Sequence, residues 1–291
     1  MDLQLYRAHS ARMYDYFLGG TTNFAPDREA AGRAMAVFPW ARTAARANRA
    51  FMHRSTRLLA DRGIDQFLDV GTGIPTSPNL HEVAQRVNPR ARVVYADNDP
   101  IVYAHAQALL HSTPQGRTAY VQADVREPEA ILRSAELRDT LDLGRPVALS
   151  LVALLHFVPG EDDAHAIVDR LKRAMPAGSA LVLSHGTPDF APAETERAAQ
   201  VYQAAGTAVR MRTREEIAGF FDGWQLLDPG LVASHRWRPD AGEDEGDGED
   251  GAGCEDGAGP GEAGAGGAEG AGPGGATDAQ VSAYAAVAVK P

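Results

Sequence analysis

The stretch FLDVGTGIPTSPN, residues 67–79, joins an apolar run to a turn built on Gly71 and Gly73. Glycine permits a tight turn and lets a backbone approach a ligand closely. A phosphate-binding P-loop would continue with Gly-Lys-Ser/Thr, and no lysine follows here. The dinucleotide fingerprint G-x-G-x-x-G would place a third glycine at position 76, where Thr76 stands after Pro75. That weakens the dinucleotide reading without removing it. The residues around the turn have to decide what it holds.

Outward from the turn, short β-forming or continuously apolar runs alternate with helical patterns. QFLDV, RVVYAD, TAYVQAD, PVALSLVALL and SALVLSH are the strands. PNLHEVAQRV, DPIVYAHAQALL, EPEAILRSAEL and DDAHAIVDRLKRAM are the helices between and after them. This alternation predicts a parallel sheet with helices on both faces. Asp162 or Asp163 is positioned to cap the helix that Pro176 and Gly178 stop. Further on, AETERAAQVYQAAG and RTREEIAGFF read as helices, GWQLLDPGLVASHRW as a strand and AYAAVAVK as its antiparallel neighbour. Upstream, APDREAAGRAMAVF starts a helix at Pro26 and Asp27. RTAARANRAFMHRSTRLLADRG reads as a long helix that stops at Gly63, with Phe51, Leu58 and Leu59 on a buried stripe and its arginines on a solvated face.

Charge narrows the ligand. Asp69 precedes the turn, Asp97 ends the second strand run and Asp124 ends the third, so three strand ends bring carboxylates to one crevice. In an open α/β sheet that crevice is where ligands sit. Asp97 follows Gly73 by 24 residues, a usual separation for an acid that bonds ribose hydroxyls. A pyrophosphate beside Asp69 would be repelled, whereas a ligand with a ribose, an adenine and cationic centres would be favoured.

The chain of 291 residues carries a net charge of -11, and almost all of it is local. Twelve of the 39 acidic residues lie from Asp240 onward with one of the 28 basic ones, leaving 27 of each in residues 1–239. That balance offers no general basic face for a nucleic acid. Residues 241–277 are almost entirely Gly, Ala, Glu and Asp, a composition read as a disordered acidic insert ahead of a last strand. The boundaries expected are a helical cap or lid over 1–62, a core over 63–239, the insert over 240–279 and the last strand over 280–291. No run of 18 apolar residues suggests a membrane helix, and the N-terminus does not read as a signal peptide. The only cysteine, Cys254, has no partner for a disulfide, which fits the cytoplasm. His105 and His111 are off any helical ligand spacing, and no metal site is expected.

DVGTGIPTS, VVYADNDP, VQADVREP, LLHFVPGED and MPAGSALVLSH resemble the successive motifs of class I S-adenosylmethionine-dependent methyltransferases. ARMYDYFLGGTTNFAPDREAA is similar to the N-terminal signature of an actinobacterial S-adenosyl methyltransferase family of mostly undefined substrate. The resemblance spans nearly all of residues 10–239 and resumes at YAAVAVKP. Pro75 departs from the general class I pattern and matches the narrower family. The resemblance implies a three-layer, Rossmann-like fold with a seven-stranded, mainly parallel sheet, an antiparallel last strand and a helical N-terminal cap. It implies S-adenosyl-L-methionine as cofactor. Asp69, Gly71, Thr72 and Gly73 would cradle its amino acid end, Asp97 the ribose and Asn98 the adenine. Asp124 would accept from the adenine amino group, with the Val125 amide nearby, and Ser150 and Leu151 would lie near the sulfonium.

Methyl transfer needs proximity and alignment more than an acid or base. Three side chains stand out as general-base or contact candidates: His156 after the fourth strand, His185 after the fifth, and Tyr16 in the N-terminal signature. For His156 and His185 ordinary packing is the competing reading. Tyr16 with Gly19 and Gly20 reads as part of a lid over the cofactor, against a buried helical face formed by Tyr14 and Phe17. The function expected is methyl transfer to an unidentified small molecule. A catalytically silent cofactor-binding sensor and an NAD-dependent oxidoreductase are the alternatives, the latter disfavoured by Asp69 and Thr76.

Overall fold

The computed structural model describes residues 5–109, 112–240 and 275–291. The acidic insert expected within 240–279 therefore lies almost wholly outside the described residues. Five strands run parallel: β1 (Gln66–Val70), β2 (Arg92–Asp97), β3 (Arg117–Gln122), β4 (Ala148–Val152) and β5 (Ala180–Gly186). β8 (Ala283–Val289) lies antiparallel beside β5. With a short strand β6 (Gln225–Leu226) at the far edge, the order is β3-β2-β1-β4-β5-β8-β6, so the chain reverses direction across the sheet between β1 and β4. That switch leaves a crevice beyond the carboxyl ends of the two strands.

Side chains alternate strictly across the sheet. Leu68, Val70, Val94, Ala96, Leu149, Leu151, Leu181 and Leu183 face one core. It is closed by α6 (Pro128–Leu132), α7 (Ala135–Thr140), α8 (Glu161–Ala174) and α10 (Arg214–Ala218). Phe67, Val93, Tyr95, Ala148 and Val182 face the other, closed by α3 (Ala41–Asp61), α4 (Leu80–Val87) and α5 (Pro100–Leu109). Strands buried on both faces explain why their sequences read as unbroken apolar runs. A third, smaller cluster joins α1 (Ser10–Phe17) and α2 (Ala25–Val37) through Met13, Phe17, Ala30 and Ala34, with Val201 and Tyr202 of α9 (Pro192–Ala204) against it. The segment expected as a cap thus divides: α1 and α2 pack together and on α9, while α3 lies on the sheet.

Four sequence expectations are corrected. Among the described residues the sheet has eight strands, not seven, because GWQLLDPGLVASHRW forms two pieces, β6 (Gln225–Leu226) and β7 (Val232–Ala233), each paired with β8. Pro229 has no N–H for the ladder, and Gly230 turns the chain with a φ of 82°. EPEAILRSAEL is two short helices, the second capped by the Ser134 hydroxyl accepting from the Leu137 N–H. Gly160, not Asp162 or Asp163, is the N-cap of α8. Nor are the arginines of α3 all on a solvated face. Arg54 is buried and donates to the carbonyls of Ser234 and Trp237, while Arg49 reaches into the loop after the glycine turn. α11 (Asp278–Val281) leads into β8, and its Asp278 pairs with Arg236 at 2.7 Å.

Candidate active site

The glycine turn is held from two sides. Gly71 has a φ of 76° and donates its N–H to the Ala96 carbonyl at 2.8 Å. A β-carbon there would lie 2.5 Å from Leu154 Cδ1, so a side chain would strain the backbone and displace Leu154. Gly73, with a φ of 67°, donates its N–H to Asp97 Oδ2 at 2.8 Å, and the space beside its Cα is open. The chain does not then enter a helix. Ile74 is buried, Arg49 of α3 donates to the Thr76 and Pro78 carbonyls, and α4 begins only at Leu80, capped by Asn79 and Glu82. The dinucleotide motif needs its third glycine because a helix starts at the turn. Here a loop intervenes, which explains Pro75 and Thr76 and leaves no helix N-terminus at Gly73 to hold a pyrophosphate.

The turn opens into a cavity of about 700 Å³ at the carboxyl ends of β1 to β5. Asp69, Gly71, Thr72, Gly73, Asp97, Asn98, Asp124, Val125, His156 and His185, all singled out from sequence, line it. α1 and the residues just before it form its roof. The volume lies within the range of small-molecule sites.

The strand-end carboxylates differ in state. Burial pushes Asp69 up to about 6, with Asp97 adding to the effect and Ser150, Arg49 and Thr72 opposing it. Burial also raises Asp97, against the Asp99 and Gly73 N–H groups that donate to its two oxygens. At Asp124 burial pushes upward, but Arg126 outweighs it and the net shift is down. Arg126 donates from Nε, Nη2 and its backbone N–H, and Asn98 Nδ2 adds a further bond at 3.1 Å. The crevice is therefore less anionic than three bare aspartates would make it.

Five residues expected at the site are absent from the cavity lining. Leu151 is fully buried in the core, and Ser150 sits behind Asp69 as its partner in the β1–β4 register. The chain reaches the cavity only afterwards, with Val152 and Ala153 in the lining and Ala153 at a φ of 54°, unusual for a residue with a side chain. Tyr16 lies under the Arg42 guanidinium, 4.9 Å from its ring centre. Gly19 and Gly20 close α1. The Gly20 N–H bonds the Asp15 carbonyl, the Gly19 N–H bonds that of Tyr16, and Gly19 has a φ of 82°. This is the Schellman pattern of a helix C-terminus. A β-carbon on Gly20 would come within 2.1 Å of Asp15 Oδ1. Gly20→Ala is thus expected to lower stability by about 1–3 kcal/mol while leaving cofactor affinity within about twofold; urea denaturation and calorimetric titration check the two parts.

Two networks escaped the sequence reading. Arg12, 1% exposed, lies 3.5 Å from Asp99 and 3.6 Å from Asp27, and His9 lies 3.1 Å from Asp99. These contacts tie the roof to the residue two beyond Asp97. The second network runs across the cavity floor. The Ala153 N–H donates to Ser184 Oγ, Ser184 to Asn48 Oδ1, Asn48 Nδ2 to Tyr14 Oη, and Tyr14 to the Ala45 carbonyl. The available sequence signal was Asn48, a polar residue three before Phe51 on the buried stripe of α3.

The two histidines differ. His185 is 1% exposed, donates from Nδ1 to the Gly186 carbonyl and accepts at Nε2 from Arg212 Nη1. Burial, His156 and Arg212 hold it well below the ordinary histidine range, and both nitrogens are used. His156 lies half-buried in the lining; burial and then Arg212 bring it to about 4, so it is neutral at pH 7.

The family model for S-adenosyl methyltransferase matches residues 1–291. A DUF574 family protein from Streptomyces avermitilis is 46% identical, with 100% of each chain covered and a TM-score of 0.87. A candidate methyltransferase from Thermobifida fusca is 35% identical, covers 99% of this chain and 97% of its own, and has a TM-score of 0.82. No curated protein matches. The chain belongs to the S-adenosyl methyltransferase family, and is an enzyme whose cofactor is S-adenosyl-L-methionine.

Proposed function

We propose that the cavity binds S-adenosylmethionine along the strand ends and passes its methyl group to a small-molecule acceptor seated beside it. The observation that carries this is the turn itself. Gly73 leaves open space where a ligand can lie against the backbone, next to a buried carboxylate, with no helix N-terminus to favour a phosphate. In this reading Asp69, Gly71, Thr72 and Gly73 hold the amino acid end, and the Asp69 carboxylate meets the ammonium. Asp97 uses one lone pair on each oxygen for the Gly73 and Asp99 N–H groups and keeps the others for ribose hydroxyls. Asn98, Asp124 and Val125 border the adenine. The residues present fit the cofactor, with cationic and hydroxyl-bearing parts matched by acceptors.

When bound, the cofactor supplies a methyl group activated by its sulfonium. The chain's own task is then to bind, align and exclude water. The roof pinned by Arg12 serves the last of these, and the Ala153–Ser184–Asn48–Tyr14 network fixes the floor. A small molecule suits the acceptor role because the cavity, about 700 Å³, is of small-molecule size. The test is conversion of S-adenosylmethionine to S-adenosylhomocysteine when the low-molecular-weight fraction of a bacterial extract is added. Tight cofactor binding with no conversion under any fraction would instead describe a sensor.

A further inference from the structure

The cavity is divided by charge. Among the described residues its four acidic lining residues, Asp69, Asp97, Asp99 and Asp124, lie at the carboxyl ends of β1, β2 and β3 or just beyond them. The other half lies between the turn after β4, α9 and the loop that follows α9, and no carboxylate among the described residues lines it. Phe157 and Tyr202 stand there with ring centres 5.8 Å apart, and His156 packs on Phe157 at 4.3 Å. Met211 completes the wall. A β-carbon on Gly186 would lie 2.7 Å from Met211 Sδ and 3.9 Å from His156 Nδ1, so glycine at 186 keeps this corner from overfilling. Behind the wall is the Arg212 guanidinium, 1% exposed, which bonds His185 Nε2 and the carbonyls of Leu155 and Val158.

Each feature selects on the same property. Aromatic and thioether surfaces favour a flat apolar ring. A protonated amine would need a carboxylate or several carbonyls to replace its hydration. It would find instead a neutral histidine pair with a buried cation behind it. Aromatic faces attract a cation only modestly, and Arg212 opposes that attraction.

We propose that this half of the cavity is the acceptor subsite and takes a flat aromatic compound carrying a neutral or anionic oxygen nucleophile, to the exclusion of ammonium compounds. The inference rests on the cofactor reading above. Phe157, Tyr202 and Met211 set the shape, and His156 supplies the polar contact to the acceptor oxygen.

The experiment is a calorimetric titration of the full chain saturated with S-adenosylhomocysteine. Two probes share one ring system: 2-naphthol and 2-(aminomethyl)naphthalene. Naphthol is expected to bind at least about tenfold more tightly than the ammonium, and Tyr202→Ala to weaken naphthol about tenfold, the equivalent of about 1.4 kcal/mol, with S-adenosylhomocysteine affinity unchanged. Met211→Glu adds the missing carboxylate and should narrow or reverse the preference. Equal or tighter binding of the ammonium by the wild-type protein would overturn the proposal. So would naphthol binding that neither variant changes. Failure of S-adenosylhomocysteine itself to bind would overturn the cofactor reading beneath it.

Discussion

Asp97→Ala is expected to weaken S-adenosylmethionine about a hundredfold and to lower the stability of the cofactor-free protein by about 1–3 kcal/mol. The affinity loss follows from removing an acceptor of charge-assisted hydrogen bonds, worth roughly 1.5–3 kcal/mol. The stability loss follows from geometry. Asp97 is 8% exposed and accepts from the Gly73 and Asp99 N–H groups, so truncation leaves two enclosed donors without their partner. Relief of its repulsion with Asp99 offsets part of that cost. From sequence alone a strand-end acid would affect the ligand only; the structure makes it an anchor of the turn as well. Asp97→Asn keeps one carbonyl oxygen for one of the two N–H groups and should fall between. Urea denaturation and calorimetric titration measure the two effects separately.

Cofactor affinity is expected to fall about tenfold for each pH unit below about 6. Asp69 meets the ammonium only when ionised, and burial raises its folded pKa to about 6. The same shift has the opposite sign for stability. The folded, cofactor-free protein binds the Asp69 proton more tightly than the unfolded chain, whose carboxyl has the ordinary value of 3.8. The group's favourable contribution is therefore complete below the unfolded value and lost as pH rises to about 6. Asp69→Asn should make the cofactor-free protein more stable than wild type by about 1–3 kcal/mol at pH 8, with the difference gone near pH 4. It should also flatten the pH dependence of binding. A variant that is less stable at pH 8, or that keeps the tenfold slope, would exclude Asp69 as the titrating group.

The parallel sheet and most of its helices were legible because strands buried on both faces give continuous apolar runs that turn residues interrupt. Asp69, Asp97 and Asp124 were legible for a related reason: a carboxylate ending an apolar strand has no role in the core. What the sequence could not display was the state of those acids. Asp124 and Arg126 are two residues apart, yet nothing local says that the guanidinium folds back on the carboxylate. The Gly19–Gly20 pair was ambiguous in sequence because a hinge and a Schellman cap use the same residues for the same freedom at positive φ, and the structure shows the cap. Ser150 and Leu151 stand just short of the lining, which this strand reaches at Val152, since a strand's exit from a sheet is set by partners such as Ser184, which holds the Ala153 N–H. Arg12, Asp27 and Asp99 come from three distant segments, and only the packing of α1 and α2 brings them together.

The central claim is that the turn after β1 holds the methionine end of S-adenosylmethionine and not a pyrophosphate. The most direct measurement is calorimetric titration of the wild-type protein at pH 7.5 with S-adenosylmethionine and with NAD, side by side. The account predicts saturable one-to-one binding of S-adenosylmethionine and no detectable heat of binding for NAD; NAD bound as tightly as S-adenosylmethionine, or more so, would contradict it.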